Sequence, residues 1–444
     1  MNRIRNADAI SPDNPVAVIE PGVTQRQLAD FLRKHCPSLM FNTTGSALDT
    51  SILGNALDRG VGYFGPRVDD LFGLEVVTGA GTVLHTGFRR LGEDSPLAHC
   101  HPYGLGPMLD GLFFQGNFGI VTSACFRLMP RREQHVAVSM ALAPGVGLAA
   151  FIDALARLKR EGLLTSVAHV GNRARTRATL TAGLVRYLMG ACGLDEVRAR
   201  REAETALAVA APSEWTAMAA VTGTAGQVRA VLTEVKRRLR GLARVRVVTD
   251  GLLNLGFRAT HALRFLPWAR TQAAAISAIR PLHGLVRGEP TDIAIDNLLW
   301  EVGRSDLPAA RLDESNYGLL YVNPALPMDG GFVARVMRQM TDEAARFGFD
   351  LAVTINIETP SSLVAVASLA FDRSQPDQVE RAHACASALL TLIHSEKLEV
   401  YRARADMMGE VVSSDSEYWQ VVRNLKLVLD PDNIISPGRY NIPD

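Results

Sequence analysis

Glycine is the residue type whose spacing most strongly suggests chemistry in this chain, within SILGNALDRGVGYFGP at residues 51–66. These sixteen residues include glycines at positions 54, 60, 62 and 65, and Asn55 directly follows the first of them. Such density indicates either tight turns with positive φ or backbone held close to a flat or charged group. The spacing matches neither a P-loop, which needs a following lysine, nor the G-x-G-x-x-G turn between a strand and a helix. The rest of the chain must decide between turns and a ligand.

The histidines and cysteines do not form a pattern that binds metal. His99, Cys100 and His101 are neighbours in HCHPYG, and side chains at this spacing do not converge on one ion, so we predict a loop. The five cysteines are scattered and contain no C-x-x-C pair, at positions 36, 100, 125, 192 and 385. We therefore expect no disulfide framework, no structural zinc site and a reducing, cytoplasmic location.

The composition of the 444 residues is typical of a globular protein of two or three domains. The chain has 47 Lys and Arg against 46 Asp and Glu, so no global field favours nucleic acid or an acidic membrane. The first residues, MNRIRNADAISPD, lack the apolar core of a signal peptide. The most apolar stretch, residues 137–156, is interrupted by Pro144, Gly145 and Gly147, which predicts strand, turn and helix. We expect neither a nucleic-acid nor a membrane partner.

The pattern of predicted elements changes near residue 135. Before it, short strands and turns surround one clear helix, TQRQLADFLRKH, which begins with a capping box of Thr24 and Gln27. Residues 71–87 are predicted to form a hairpin and residues 118–130 another strand. After it, helices with apolar residues at helical spacing alternate with strands, which predicts a separate α+β domain.

Four segments, in order along the chain, together resemble flavoproteins of the vanillyl-alcohol oxidase and p-cresol methylhydroxylase type. They are VAVIEPGVTQRQLADFL, GSALDTSILGNALDRGVGYFG with GLEVVTGAGTVLHTG, GPMLDGLFFQGNFGIVTSACFRLMP, and YRAR with LDPDNIISPGRYNI. The resemblance implies an α+β fold in which a PCMH-type FAD-binding domain holds the cofactor and a cap with an antiparallel sheet shapes the substrate pocket. It places residues 1–134 and 405–444 in the FAD-binding domain and residues 135–404 in the cap.

The resemblance also assigns residues to FAD. Backbone amides of the glycine-rich segments would line the flavin and the diphosphate, because a Cβ there would push the ring away. The assigned residues are Gly45, Ser46, Gly54, Asn55, Gly60, Gly62, Gly119, Ile120, Val121 and Arg439. Without the resemblance, the same glycines are typical of tight turns and FGIVT of a buried strand. Members with covalent FAD use a His or Tyr near the strand matching YGLLYVNP. Leu319 stands at that His position, near Tyr317 and Tyr321, so we expect non-covalent FAD.

Tyr401 and Arg402 match a Tyr-Arg pair that similar enzymes place against a phenolic substrate; otherwise they would be a surface dipeptide. The resemblance implies that both stabilise the phenolate, so that hydride transfer from the benzylic carbon to flavin N5 gives a neutral quinone methide. Asp69 and Asp70 are alternative candidates for a carboxylate near N5, at a spacing two residues shorter than expected, and a turn residue is the plain alternative.

The predicted activity is that of an FAD-linked oxidoreductase of 4-alkylphenols or 4-hydroxybenzyl compounds, with a small aromatic substrate. Water would add to the quinone methide or the product would desaturate, and oxygen or a cytochrome c would accept the electrons. The sequence leaves open whether the protein forms a homodimer. No loop of the family's R-N-x-G-Y-G type occurs, so the chain is expected to start in mid-domain. A truncated, non-catalytic homologue that binds no FAD, or a misassigned start, is therefore the alternative hypothesis.

Overall fold

The computed structural model describes residues 1–442, which form two compact units. The first unit contains Met1–Thr44, Leu48–Arg131 and the described residues from Arg402 onward. The second contains Gly45–Ala47 and Arg132–Tyr401. Each unit therefore draws on more than one stretch of the chain.

Short strands, two α-helices and four short 3-10 helices make up the first unit as far as residue 131. Its strands and α-helices there are β1 (Val16–Ile19), α1 (Gln25–His35), β2 (Leu39–Met40), α2 (Ile52–Leu57), β3 (Leu71–Thr78), β4 (Val83–His85), β5 (Gly119–Arg127) and β6 (Met129–Pro130). Four strands form an antiparallel sheet in the order β1-β5-β3-β4, and β2 pairs with β6. The predicted hairpin is β3 and β4, and the predicted strand at 118–130 contains β5.

Helix α1 begins where the sequence predicts it. Thr24 Oγ1 accepts the Gln27 backbone N–H over 3.2 Å, while the Gln27 side chain donates to the Asn2 carbonyl instead of closing the capping box. Leu28 and Leu32 of this helix are buried in the core of the first unit. The apolar face of α1 thus packs on the sheet and supports the loops that follow.

The second unit is a larger layer of helices on an antiparallel sheet. Its elements are β7 (Gln134–Leu142), α3 (Leu148–Arg160), β8 (Ala168–Asn172), α4 (Arg173–Cys192), α5 (Glu196–Ala210), β9 (Trp215–Gly223), α6 (Ala225–Arg238), β10 (Ala243–Val248), α7 (Asp250–Ala262), α8 (Pro267–His283), α9 (Ile293–Glu301), β11 (Tyr317–Val322), β12 (Ala325–Pro327), α10 (Gly330–Arg346), β13 (Ala352–Ile357), β14 (Ser362–Asp372) and α11 (Pro376–Ser395). The strand order is β10-β7-β9-β8-β13-β14-β11, with β12 beside β14. The predicted α+β class with an antiparallel sheet is confirmed.

Two helices return to the first unit, α12 (Met408–Val411) and α13 (Glu417–Leu429). A buried ion pair, Lys426 with Asp430, fixes the end of α13. The Lys426 ammonium also donates to the Asn117 carbonyl over 2.5 Å and to the Ile435 carbonyl over 2.7 Å. A Cβ on Gly79 would lie 2.0 Å from Asp430 Oδ1, so only glycine fits there. These contacts set the path of the segment that carries Arg439.

Across residues 1–442, none of the helices combines the length and the apolar character that crossing a lipid bilayer would require.

Candidate active site

Helix α2 carries the first part of the glycine-rich segment, and both of its ends are fixed. Ser51 Oγ accepts a backbone N–H of the first turn over 2.9 Å. The helix is capped at its other end by Asp58, after which Arg59 has a φ of 54° and Gly60 donates its N–H to the Asn55 carbonyl over 2.8 Å. This left-handed closure is usually made by glycine or asparagine. Asp58 therefore stands at a tightly defined turn.

Two glycines of this segment are required by packing within the first unit. A Cβ on Gly60 would lie 2.1 Å from Asn55 Oδ1, and a Cβ on Gly62 would lie 2.3 Å from Asn42 Oδ1. The steric demand that the sequence analysis attributes to a flavin ring is thus already made by two amide side chains. At Gly45, by contrast, a Cβ would meet nothing within 4 Å. A flavin contact at these positions stays a prediction.

The two candidate carboxylates, Asp69 and Asp70, lie in different environments. Asp69 is exposed, whereas Asp70 is buried and accepts a hydrogen bond of 2.9 Å from the Asn42 amide. Burial raises the pKa of Asp70 to about 6, and the Asn42 hydrogen bond and nearby guanidiniums offset this only in part. The same amide also accepts the Phe64 N–H over 2.8 Å. Asp70 can therefore gain or lose a proton near neutral pH.

Arg67 is fully buried beside Asp70 and Asn42. Its Nη1 donates to Asn55 Oδ1 over 3.1 Å, and its guanidinium lies 5.6 Å from the ring centroid of Phe126. Within residues 1–442, its Nε and Nη2 have no hydrogen-bond partner, and neither does the side chain of buried Asn117. Burial lowers the pKa of Arg67 to about 10. Such groups normally find a partner, which can be a water or a ligand.

Asp58 forms ion pairs with two arginines from late in the chain. Arg402 Nε donates to the Asp58 carbonyl over 2.7 Å and lies 3.0 Å from its carboxylate. Arg439 Nη2 lies 3.5 Å from the other carboxylate oxygen. Burial raises the pKa of Asp58, and Arg402, Arg439 and Arg59 oppose that rise. The structure thus brings Arg402 and Arg439, both predicted site residues, to one carboxylate.

Tyr440 ties together the segments that carry these two arginines. Its hydroxyl accepts the Ala403 N–H over 2.9 Å and donates to the Ala403 carbonyl over 3.2 Å. The Arg439 guanidinium lies 5.4 Å from the centroid of the Tyr440 ring. Tyr401 belongs to the second unit, where its N–H donates to the Asn323 carbonyl over 3.0 Å.

Strand β5 contains the other predicted cofactor residues. A Cβ on Gly119 would lie 2.5 Å from the Val76 side chain, so close packing of β5 on β3 requires this glycine. Val121 is buried, whereas Ile120, which pairs with Val77 of β3, is 57% exposed. The strand therefore leaves one large apolar side chain exposed at this point.

The remaining predicted residues lie in the second unit. Gly45 and Ser46 belong to it, and Leu319 lies on β11 opposite Ala370. Tyr317 begins the same strand, and burial raises the pKa of its hydroxyl to about 12. Leu319 and Tyr317 line a cleft of about 700 Å³.

One group with metal-ligand spacing was missed by the sequence analysis. Glu75, His85 and Glu93 bring one ligand atom each within 4.8 Å of one another. Arg5 donates to both Glu75 oxygens over 2.8 and 3.0 Å, and Arg89 lies 2.6 Å from Glu93. The hydrogen bonds from Arg5 hold the pKa of Glu75 down at about 2. Because guanidiniums already neutralise the carboxylates, the group is an ion-pair network.

Residues 1–87 match the family described as FAD binding domain. Over the whole chain, 1'-carboxy-chondrochloren decarboxylase of Chondromyces crocatus is 28% identical across 449 residues, 99% of this chain and 80% of that protein. The 4-cresol dehydrogenase [hydroxylating] flavoprotein subunit of Pseudomonas putida is 25% identical, over 100% of this chain and 77% of that protein.

Among solved structures, 4-ethylphenol oxidase from Gulosibacter chungangensis, in complex with isoeugenol, superposes with a TM-score of 0.80. It is 22% identical, and the match covers 100% of this chain and 79% of that one. This likeness confirms the predicted PCMH-type fold. Together with the match of residues 1–87, it confirms FAD as the cofactor of this fold.

Features of the first unit itself fit FAD. The exposed side chain of Ile120 suits contact with an apolar ring, and the buried, unpartnered polar atoms of Arg67 and Asn117 suit a polar ligand. The guanidiniums of Arg402 and Arg439 face the same carboxylate, and side chains of this charge suit an anionic group. That β5, the glycine-rich segment and the arginine pair hold FAD stays a prediction.

Proposed function

We propose that the chain is a flavoprotein of the vanillyl-alcohol oxidase and p-cresol methylhydroxylase type and that it oxidises para-substituted phenols at the benzylic carbon. The coarser conclusion, an FAD-dependent oxidoreductase, does not depend on the substrate. The observation that carries the proposal is that Arg402, which directly follows Tyr401 in the chain, and Arg439 both pair with Asp58.

The arginines supply what this chemistry needs from the protein. A phenol must be deprotonated, or close to it, if its oxygen is to neutralise the cation that forms at the benzylic carbon. Fixed positive charge from Arg402 lowers the pKa of the phenol. FAD, when bound, supplies the hydride acceptor. Loss of the hydride leaves a quinone methide, to which water adds or from which a proton is lost to give an alkene.

Of the two candidate carboxylates, we assign the functional role to Asp70. Its hydrogen bond to Asn42 fixes its position, and its pKa of about 6 lets it exchange a proton within the physiological range. Asp69 is exposed and has no such anchor. We keep oxygen and a cytochrome c as alternative electron acceptors; the name of the Pseudomonas relative, a flavoprotein subunit, favours a partner protein.

A second candidate activity is the decarboxylation of a carboxylated phenolic compound. It is favoured by the decarboxylase from Chondromyces, which is 28% identical over 99% of this chain. The same arginine pair would then act on a substrate that brings its own carboxylate. A carboxylated and a carboxyl-free phenol tested side by side separate the two activities.

The direct test is anaerobic reduction of the FAD-loaded protein. We expect added FAD to bind and its absorbance to bleach on addition of 4-ethylphenol or 4-cresol. Arg402→Ala should abolish bleaching, whereas Arg404→Ala, which removes an arginine paired with Asp406 two residues away, should keep it. Absence of flavin bands after FAD is added, or equal bleaching in Arg402→Ala, would overturn the proposal.

A further inference from the structure

We propose that Asp58 is the residue that positions both arginines of the site, an inference that rests on the proposed function. Asp58 lies at the end of α2, in a different segment from either arginine, and no feature of its local sequence marks it. It would act through Arg402 and Arg439 and would not itself contact the substrate.

The contacts to Arg402 define an orientation. One Nε is shared between two acceptors of the same residue, the Asp58 carbonyl at 2.7 Å and its carboxylate at 3.0 Å. Two acceptors on one rigid turn leave the guanidinium plane little freedom, because a planar group bonded at Nε can no longer rotate independently. The left-handed Arg59 that follows keeps the Asp58 carbonyl aimed in this direction.

The contacts to Arg439 close a ring of interactions. Asp58 meets Arg439, Arg439 lies over the Tyr440 ring, and the Tyr440 hydroxyl bonds both backbone groups of Ala403, which follows Arg402. Movement of either arginine would therefore disturb contacts of the other. The ring is built entirely within the first unit.

The charge balance separates a positioning role from a purely electrostatic one. One carboxylate faces two guanidiniums, so neutralising Asp58 raises the positive potential of the cluster. If Asp58 acted only through its charge, Asp58→Asn would favour the phenolate and would leave flavin reduction as fast or faster. If it positions the arginines, the same variant must slow reduction, because the guanidiniums are no longer held in the orientation that stabilises the phenolate.

The first experiment measures flavin reduction by 4-ethylphenol in the FAD-loaded protein under rapid mixing. We expect Asp58→Asn to lower the limiting rate constant at least tenfold and Asp58→Glu, which keeps a carboxylate, to recover part of it. Asp406→Asn is the matched control, because it breaks the exposed Arg404 pair nearby, and it should keep the full rate. A rate for Asp58→Asn equal to or above that of the unchanged protein overturns the inference.

The second experiment needs no turnover. A double-mutant cycle of Asp58→Asn and Arg402→Gln on the unfolding equilibrium should show a coupling of fivefold or more. The same cycle on Asp406 and Arg404 should show about twofold or less, as exposed pairs do. If the unchanged protein binds FAD but no phenol reduces it, the proposed function fails. The cycle then tests the positioning role of Asp58 without turnover. Coupling between Asp58 and Arg402 supports that role, and absence of coupling overturns it.

Discussion

The amide of Asn42 joins two features that lie far apart in the sequence, because it donates to the buried Asp70 carboxylate over 2.9 Å and fills the space above Gly62. A glycine and an acidic residue that look like separate motifs therefore belong to one packed group. The amide holds Asp70 in place and excludes any side chain at position 62.

The pKa of Asp70 predicts how stability depends on pH. A carboxyl whose pKa rises from 3.8 in the unfolded chain to about 6 in the fold costs free energy when it ionises in the fold. The free energy of unfolding should therefore fall as the pH rises from about 4 through 6, by up to ~3 kcal/mol. Asp70→Asn should lose this decline, measured by urea unfolding between pH 4 and 8. Parallel curves for the two proteins would contradict the prediction.

Gly62→Ala tests the packing against Asn42. Because the new Cβ would lie 2.3 Å from the amide oxygen, we expect a loss of ~1–3 kcal/mol in the free energy of unfolding without FAD. Gly45→Ala is the matched control and should cost little, since nothing lies within 4 Å of its Cβ. Equal stability of both variants would show that Asn42 moves aside.

Lys426→Met tests the ion pair that anchors α13. Removing the ammonium leaves Asp430 buried with no countercharge, so we expect a loss of about 3–5 kcal/mol in the free energy of unfolding. Lys236→Met, at an exposed position of α6, should change it little. Denaturant unfolding measures both, and a small effect at position 426 would mean that water reaches the pair.

Arg67→Met tests whether the unpartnered atoms of this guanidinium serve a ligand. Because one hydrogen bond to the described residues 1–442 holds the Arg67 side chain, stability without FAD should change by less than ~1 kcal/mol, while the dissociation constant of FAD should rise tenfold or more.

Arg89→Met provides the contrast in the same unit. Its guanidinium makes four hydrogen bonds, to Glu93, Gly73 and Ser123, so its loss should destabilise the protein strongly. If Arg67→Met destabilises the protein as much and leaves FAD binding unchanged, Arg67 is structural.

Local patterns predict the elements of this fold but not the contacts that build its site. The periodicity of α1, the hairpin at 71–87 and the strand at 118–130 are visible in the sequence because neighbouring residues determine them. The resemblance supplies Arg402 and Arg439 but not Asp58, whose partner Arg402 is 344 residues away.

The same limit applies to the two aspartates. Asp69 and Asp70 are adjacent and chemically alike, and only burial against Asn42 separates them. Burial depends on the three-dimensional path of the chain, so spacing could not choose between them. For the same reason, the sequence could not show that Asn55 and Asn42, rather than a cofactor, exclude side chains at positions 60 and 62.

The bond between Asp58 and Arg402 has a consequence for biosynthesis. A ribosome that adds 5–20 residues per second needs roughly 20–70 s to reach Arg402 after it has added Asp58. At the end of that interval nearly all residues of the second unit, which lies between them in the chain, have been added, while the first unit still lacks α13 and both arginines. The unit that matches the FAD binding domain family is thus started before the second unit and completed after it.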